Sequence, residues 1–192
     1  MKLAILGGTF NPPHLGHLSI ASAAHDSGGY DTVLLVPAHQ PPHKEYAGGA
    51  SAEDRLAMLR LLTVGHSWLH VDDCELRRGG VSWTIDTVED LYRRYRGRID
   101  GRIGVIIGQD LAEEFHTWKE YRKLLDCVDI VLLSRPGCSP VVPAFAHNRL
   151  EMPGVDISSS MIRDAVKTHK TWSTLVPAAI YDYILEHGLY DK

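Results

Sequence analysis

Short apolar runs bounded by turn residues recur along the chain, at Leu3 to Leu6, Thr32 to Val36, Trp68 to Val71, Ile103 to Ile107 and Val128 to Leu133. Their length and near-continuous apolarity suit strands buried on both faces. Between them lie stretches with helical spacing, notably His17 to Ala24, Ala52 to Leu62, Thr84 to Tyr95 and Ala112 to Leu125. Buried strands separated by helices need crossovers that cover both sheet faces, so the pattern predicts a doubly wound parallel α/β sheet. Ligands then belong at the carboxyl ends of the strands.

The helix signals have physical causes. Ser51 precedes Ala52-Glu53-Asp54, which puts a capping hydroxyl and two acids where unpaired N–H groups and the helix dipole favour them. From Arg135 to Pro153 the prolines at 136, 140, 143 and 153 predict a long surface connection. Beyond it, Ser158 to Lys167 and Ala178 to His187 read as two closing helices, the second with Pro177 at its first turn and Gly188 just past its end.

A chain of 192 residues with 44% hydrophobic and 23% charged residues is expected to form one compact domain, 1–192. A net charge of −4 argues against holding nucleic acid by broad phosphate neutralisation. The 3 cysteines show no ligand spacing and do not suit a disulfide framework, which fits a reducing cytoplasm. The first apolar run is too short for a signal peptide or a membrane span, so no membrane partner is expected. Homo-oligomerisation stays open.

The first run leads into Gly7-Gly8-Thr9-Phe10-Asn11-Pro12-Pro13-His14-Leu15-Gly16-His17, a tight glycine turn and a helix start. The glycines let the backbone approach a phosphate closely, and a helix N-terminus presents unpaired N–H groups to negative charge. Neither GxxxxGK[ST] nor GxGxxG occurs here. His14 and His17 fall on one side of the starting helix. Taken alone, that pair also fits one capping or core histidine and one surface histidine. No third and fourth ligands accompany it at zinc-site spacing, and no resident metal is expected.

A second constellation, Ile157-Ser158-Ser159-Ser160-Met161-Ile162-Arg163, puts hydroxyls at a helix start and an arginine just inside it. Read alone it is either a serine N-cap with a solvent-facing arginine or a second anion site. Two anion sites at two helix starts suit a nucleoside triphosphate.

Together the two segments resemble the nucleotidyltransferase superfamily marked by an HxGH loop and a late ISSTxIR helix start, with Ser160 in place of the threonine. Further segments, in the same order, are similar to the bacterial nicotinate-nucleotide adenylyltransferase family. They are Val36-Pro37 with Pro41-Pro42-His43-Lys44, Glu75-Leu76 with Ser82-Trp83-Thr84-Ile85-Asp86-Thr87, and Ile107-Gly108-Gln109-Asp110 with Thr117-Trp118. Ser134-Arg135-Pro136-Gly137 and Tyr183-Ile184 with Gly188-Leu189-Tyr190 complete the set.

The resemblance implies a Rossmann-like nucleotidyltransferase fold and transfer of the adenylyl group of ATP to nicotinate mononucleotide, with Mg²⁺ bridging the phosphates. It implies that Gly7, Gly8, Thr9, Phe10, His14, His17, Gly108, Asp110, Ile157, Ser158, Ser160 and Arg163 hold ATP. Among these, His14, His17 and Arg163 would act on the reacting phosphates, and Asp110 would contact the adenosine half. Asn11, His43, Lys44, Trp83, Thr84, Trp118 and Arg135 would meet the acceptor, with backbone amides near Thr84 and Trp118 receiving the nicotinate carboxylate. By the residues alone, Asp110 equally starts a helix and Trp118 is equally a core tryptophan. Asn11 stands where many members carry aspartate, and Trp83 where tyrosine is common.

Overall fold

The computed structural model of the chain describes residues 1–42, 49–134, 143–151 and 157–191. Its centre is a six-stranded sheet made of β1 (Leu3–Gly8), β2 (Thr32–Pro37), β3 (Leu69–Val71), β4 (Ile103–Ile107), β5 (Val128–Ser134) and β6 (His147–Glu151). The order is β3-β2-β1-β4-β5-β6 and every pairing is parallel. This is the doubly wound sheet expected from the alternation of runs. The chain winds outward from β1 to β3, then returns to pair β4 against β1, with Leu6 opposite Ile106. Connections leave β1 and β4 in opposite directions, so a crevice opens at their carboxyl ends.

Alternate side chains of β1, β2, β4 and β5 enter two separate cores. Ala4, Leu6, Val33, Leu35, Val131 and Leu133 pack with residues of α1 (Leu15–Asp26), α2 (Ala52–Thr63), α7 (Ser159–Lys167) and α8 (Ala178–Glu186). Leu3, Ile5, Leu34, Val36, Val105 and Ile130 pack on the other face against α4 (Thr84–Arg94) and α6 (Tyr121–Cys127). Burial on both faces is why these strands read as continuous apolar runs.

The cap at Ser51 forms as expected: its hydroxyl accepts from Asp54 N at 3.0 Å, and the Asp54 carboxylate accepts from Ser51 N at 3.1 Å. Two expectations need correction. The stretch 135–153 is not wholly a connection, because β6 lies within it; only Leu150 of its residues is fully buried, and the run His-Asn-Arg-Leu-Glu carries almost no hydrophobic signal. The stretch Ala112 to Leu125 is not one helix but the end of α5 (Gln109–Glu113), a 3₁₀ turn at Phe115–Thr117 and α6. Trp118 is extended and Glu120 is left-handed at φ 51°, and both interrupt the helical hydrogen-bond ladder. A short α3 (Cys74–Arg78) had no periodic signal of its own.

Candidate active site

Two clefts meet at the carboxyl ends of β1 and β4. The larger, of about 720 Å³, is lined by Gly7, Gly8, Thr9, Phe10, Asn11, His14, His17, Gly108, Asp110, Ile157, Ser158, Ser160 and Arg163, among others. Every residue expected to hold ATP therefore faces one space, although the two segments are about 150 positions apart in sequence. The smaller cleft, of about 180 Å³, is lined by Trp83, Thr84, Trp118, Lys119, Glu75 and Ser82, and shares Gly7, Gly8 and Thr9 with the first. Asn11, expected at the acceptor, lines the larger cleft instead. His43, Lys44 and Arg135 lie outside the described residues.

The β1–α1 connection is held in a demanding shape. Phe10 is buried and left-handed at φ 51°, a conformation that costs an aromatic residue free energy and persists only where its surroundings impose it. Its ring meets the His17 ring edge-on at 4.8 Å, and the His14 and His17 rings lie 3.7 Å apart. Gly16 leaves room for this pair, since a Cβ there would come within 2.9 Å of His14 Nδ1. The spacing HxGH is thus a packing requirement as much as a chemical one.

The His14 backbone N–H donates to His17 Nδ1 at 3.2 Å. That nitrogen is then an acceptor, so the neutral His17 ring carries its proton on Nε2 and is a donor. Burial, and secondly the neighbouring His14, hold His17 well below the ordinary histidine range. Burial pushes His14 down to about 4. The larger cleft therefore holds a pair of neutral imidazoles beside the Arg163 guanidinium.

This pair makes stability depend on pH with a definite sign. In the unfolded chain an imidazole gains its proton near pH 6.5, whereas His14 in the fold resists protonation until about 4. Between those values the unfolded state binds more protons, so stability falls as pH falls, by at most about 1.4 kcal/mol per pH unit for this group. Above pH 7 both states are neutral and no slope remains. Urea midpoints measured from pH 7.5 to 4.5 are expected to decline, and His14→Gln is expected to flatten that decline.

The start of α7 closes the larger cleft from the far end of the chain. Ser158 caps the helix, its hydroxyl accepting from Met161 N at 3.2 Å. Ser159 donates to the Pro12 carbonyl at 2.8 Å, and Arg163 Nη1 donates to the Asn11 carbonyl at 2.8 Å. Arg163 Nη2 donates to Ser160 Oγ at 3.1 Å. The serine cap and the anion-site reading are therefore compatible: the Ser158 hydroxyl caps, Ser159 and Arg163 hold the loop, and Ser160 lines the cleft. Across the cleft Gly108 caps α5, and a Cβ there would meet Asp110 Oδ1 at 2.6 Å. Asp110 is the one carboxylate among the described residues lining that cleft.

In the smaller cleft Trp118 packs on Phe115 at 4.9 Å between ring centres, and Lys119 Nζ lies 5.9 Å from the centre of the Trp83 ring. Lys119 is tied to Asp86 at 2.9 and 3.1 Å. The floor is a polar network in which the exposed Arg78 donates to Thr87 Oγ1 at 2.9 Å and the buried Thr87 donates to buried Glu75 at 2.5 Å. Burial pushes the Glu75 carboxyl above its ordinary range.

Reading the sequence missed Lys119 and Arg55, and gave Ser159, Glu75 and Tyr190 a place in its motifs but no role. Tyr190 donates to Asn11 Oδ1 at 2.8 Å, which ties the C-terminal segment to the loop. Arg55 carried a usable signal. It shares the buried stripe of α2 with Met58, Leu59 and Leu62, a place where a cation has to find partners.

Comparison with known proteins gives four findings. Residues 5–165 match the model of the cytidylyltransferase-like family. A protein of Treponema pallidum named probable nicotinate-nucleotide adenylyltransferase is 37% identical over 99% of each chain. A protein of the same name from Geobacillus thermodenitrificans is 38% identical over 98% of this chain and 86% of its own. The structure of Plasmodium falciparum nicotinic acid mononucleotide adenylyltransferase complexed with NaAD superposes with a TM-score of 0.80 at 17% identity, covering 99% of this chain and 97% of that one, a likeness of fold.

Proposed function

The chain belongs to the cytidylyltransferase-like family and, within it, to the nicotinate-nucleotide adenylyltransferases, and from this premise we infer that it transfers the adenylyl group of ATP to nicotinate mononucleotide in NAD biosynthesis. The products are nicotinate adenine dinucleotide and pyrophosphate. The observation that carries the reading to this structure is the pair of clefts sharing Gly7, Gly8 and Thr9, one for each substrate.

The larger cleft takes ATP. Gly108 and Asp110 meet the adenosine end, where the carboxylate accepts from ribose hydroxyls. Thr9, Phe10, His14, His17, Ser158, Ser160 and Arg163 surround the triphosphate. The smaller cleft takes the mononucleotide, with Trp83 and Trp118 as walls for the pyridine ring and the main chain at the start of α4 facing its carboxylate. His43, Lys44 and Arg135 are further acceptor residues in this proposal.

A phosphate oxygen of the mononucleotide attacks the α-phosphorus of ATP in line. One P–O bond forms there while the bond to the β-phosphate breaks, and its electron pair leaves with pyrophosphate. No covalent enzyme intermediate is needed, so positioning and charge stabilisation carry the rate. His17 supplies an Nε2–H donor at the α-phosphate, and Arg163 a cation at the departing phosphates. Among the described residues no group of three or more His, Cys, Asp or Glu side chains is placed to hold a metal ion. An Mg²⁺ ion entering with ATP would supply charge neutralisation at the reacting phosphates. No helix among the described residues is long and apolar enough to cross a membrane. Incubation with ATP, Mg²⁺ and a panel of acceptors tests the assignment.

A further inference from the structure

The Arg55 guanidinium is almost wholly buried, at 1% exposure, beneath the junction of the two clefts. Its Nη1 donates to two carbonyl oxygens, Thr9 O and Ala38 O, each at 2.8 Å. Thr9 belongs to the loop that lines both clefts, and Ala38 follows β2 on the acceptor side. One nitrogen thus fixes the distance between the ATP loop and the acceptor wall.

The two bonds also fix which way two peptides face. In a trans peptide the C=O and the following N–H point in opposite directions. The Ala38–His39 peptide shows the consequence: its carbonyl goes to Arg55, and its N–H goes the other way to Ser82 Oγ at 2.8 Å. The Thr9–Phe10 peptide is held by the same nitrogen, so its N–H turns away from Arg55, on the side where Phe10 lines the larger cleft. No partner for the Phe10 N–H is found among the described residues. Were this peptide reversed, a carbonyl dipole would face the triphosphate in place of a donor.

We infer that Arg55 is a positioning residue for the transfer reaction: it orients the Thr9–Phe10 peptide so that the Phe10 N–H meets the triphosphate, and it sets the ATP loop at reacting distance from the acceptor wall. The inference rests on the reading of the larger cleft as the ATP site. A guanidinium is suited to the task because its charge strengthens both bonds while its planar fork, unlike an ammonium, has a fixed direction. Displacement of reacting groups by about 1 Å costs on the order of a hundredfold in rate, so the effect belongs in kcat more than in overall stability.

The chain contains 3 phenylalanines, so protein labelled with ¹⁵N-phenylalanine gives few amide signals to follow. In the wild-type protein ATP alone, without acceptor, is expected to shift the Phe10 amide signal strongly and those of Phe115 and Phe145 little. In Arg55→Lys the Phe115 and Phe145 signals are expected to stay in place, the Phe10 response to be lost, and kcat to fall by about tenfold to a hundredfold. A wild-type Phe10 amide that ignores ATP would overturn the inference, even if the variant failed to fold. So would an Arg55→Lys protein with a normal Phe10 response and kcat within twofold of wild type. Absence of turnover with nicotinate mononucleotide in the wild-type protein would instead count against the assigned acceptor, and the ATP titration would remain interpretable.

Discussion

His17→Ala is expected to lower kcat by about a hundredfold to a thousandfold, the size of effect seen when one preorganised donor is removed from a developing oxyanion. The reason lies in the local hydrogen bond. Because His17 Nδ1 accepts from the His14 N–H, its single proton sits on Nε2 and is available to the substrate. Burial keeps the ring neutral, so on the proposed reading of the larger cleft it would meet the triphosphate as a fixed dipole. Alanine removes that donor, and it also leaves the His14 N–H without its acceptor, which costs about 1–3 kcal/mol of stability. Steady-state rates and urea unfolding of the same preparation separate the two effects. A variant with wild-type kcat, or one whose lost activity is wholly explained by unfolded protein, would remove His17 from the reaction.

The second large effect is expected at Arg163. Its guanidinium faces the cleft while Nη1 holds the Asn11 carbonyl at 2.8 Å, so it contributes a cation and also joins α7 to the phosphate loop. Arg163→Ala removes both, and we expect kcat/KM for ATP to fall by about a hundredfold or more, the equivalent of one or two charge-assisted hydrogen bonds. The KM for ATP should rise more than that for the mononucleotide, because Arg163 lines the larger cleft and not the smaller. Arg163→Lys keeps the charge but not the fork that reaches Asn11 O and Ser160 Oγ together, and should recover only part of the loss. Equal changes in the two KM values would show that the arginine acts through the fold and not at the triphosphate.

What could be read from the sequence follows from where the chemistry is local. The runs that became β1, β2, β4 and β5 are buried on both faces, so their apolarity needs no tertiary knowledge to recognise, while the edge strand β3 buries only Leu69 fully. β6 escapes because it carries one fully buried residue and borrows its pairing from β5, with Leu133 opposite Leu150. The break between α5 and α6 escapes because Trp118 and Glu120 leave the helical conformation for tertiary reasons, while the residues around them keep helical spacing. In the site, the glycine turn, the histidine pair and the capping serine are chemical devices that act within a few residues. Their meeting is not local. Ser159 on Pro12 O, Arg163 on Asn11 O and Tyr190 on Asn11 Oδ1 span more than 140 positions each, and two of the three use backbone carbonyls that no side-chain pattern reveals. Arg55 lies between these cases: its place on the apolar stripe of α2 marks it as unusual, but only the fold shows that its partners are Thr9 and Ala38.

The larger cleft also changes how Asn11 is understood. Its side-chain oxygen accepts from Tyr190 at 2.8 Å and from Ala50 N at 3.4 Å, while its carbonyl accepts from Arg163. An amide makes these contacts without placing a negative charge in the larger cleft, so the departure from aspartate leaves that cleft friendlier to an anion.

The most direct test of the account is pyrophosphate release by the purified protein with ATP and Mg²⁺, measured against nicotinate mononucleotide, nicotinamide mononucleotide and phosphopantetheine as acceptors. The account predicts release with nicotinate mononucleotide, in step with formation of a dinucleotide that retains the α-phosphorus of ATP. Release with phosphopantetheine and none with nicotinate mononucleotide would contradict it.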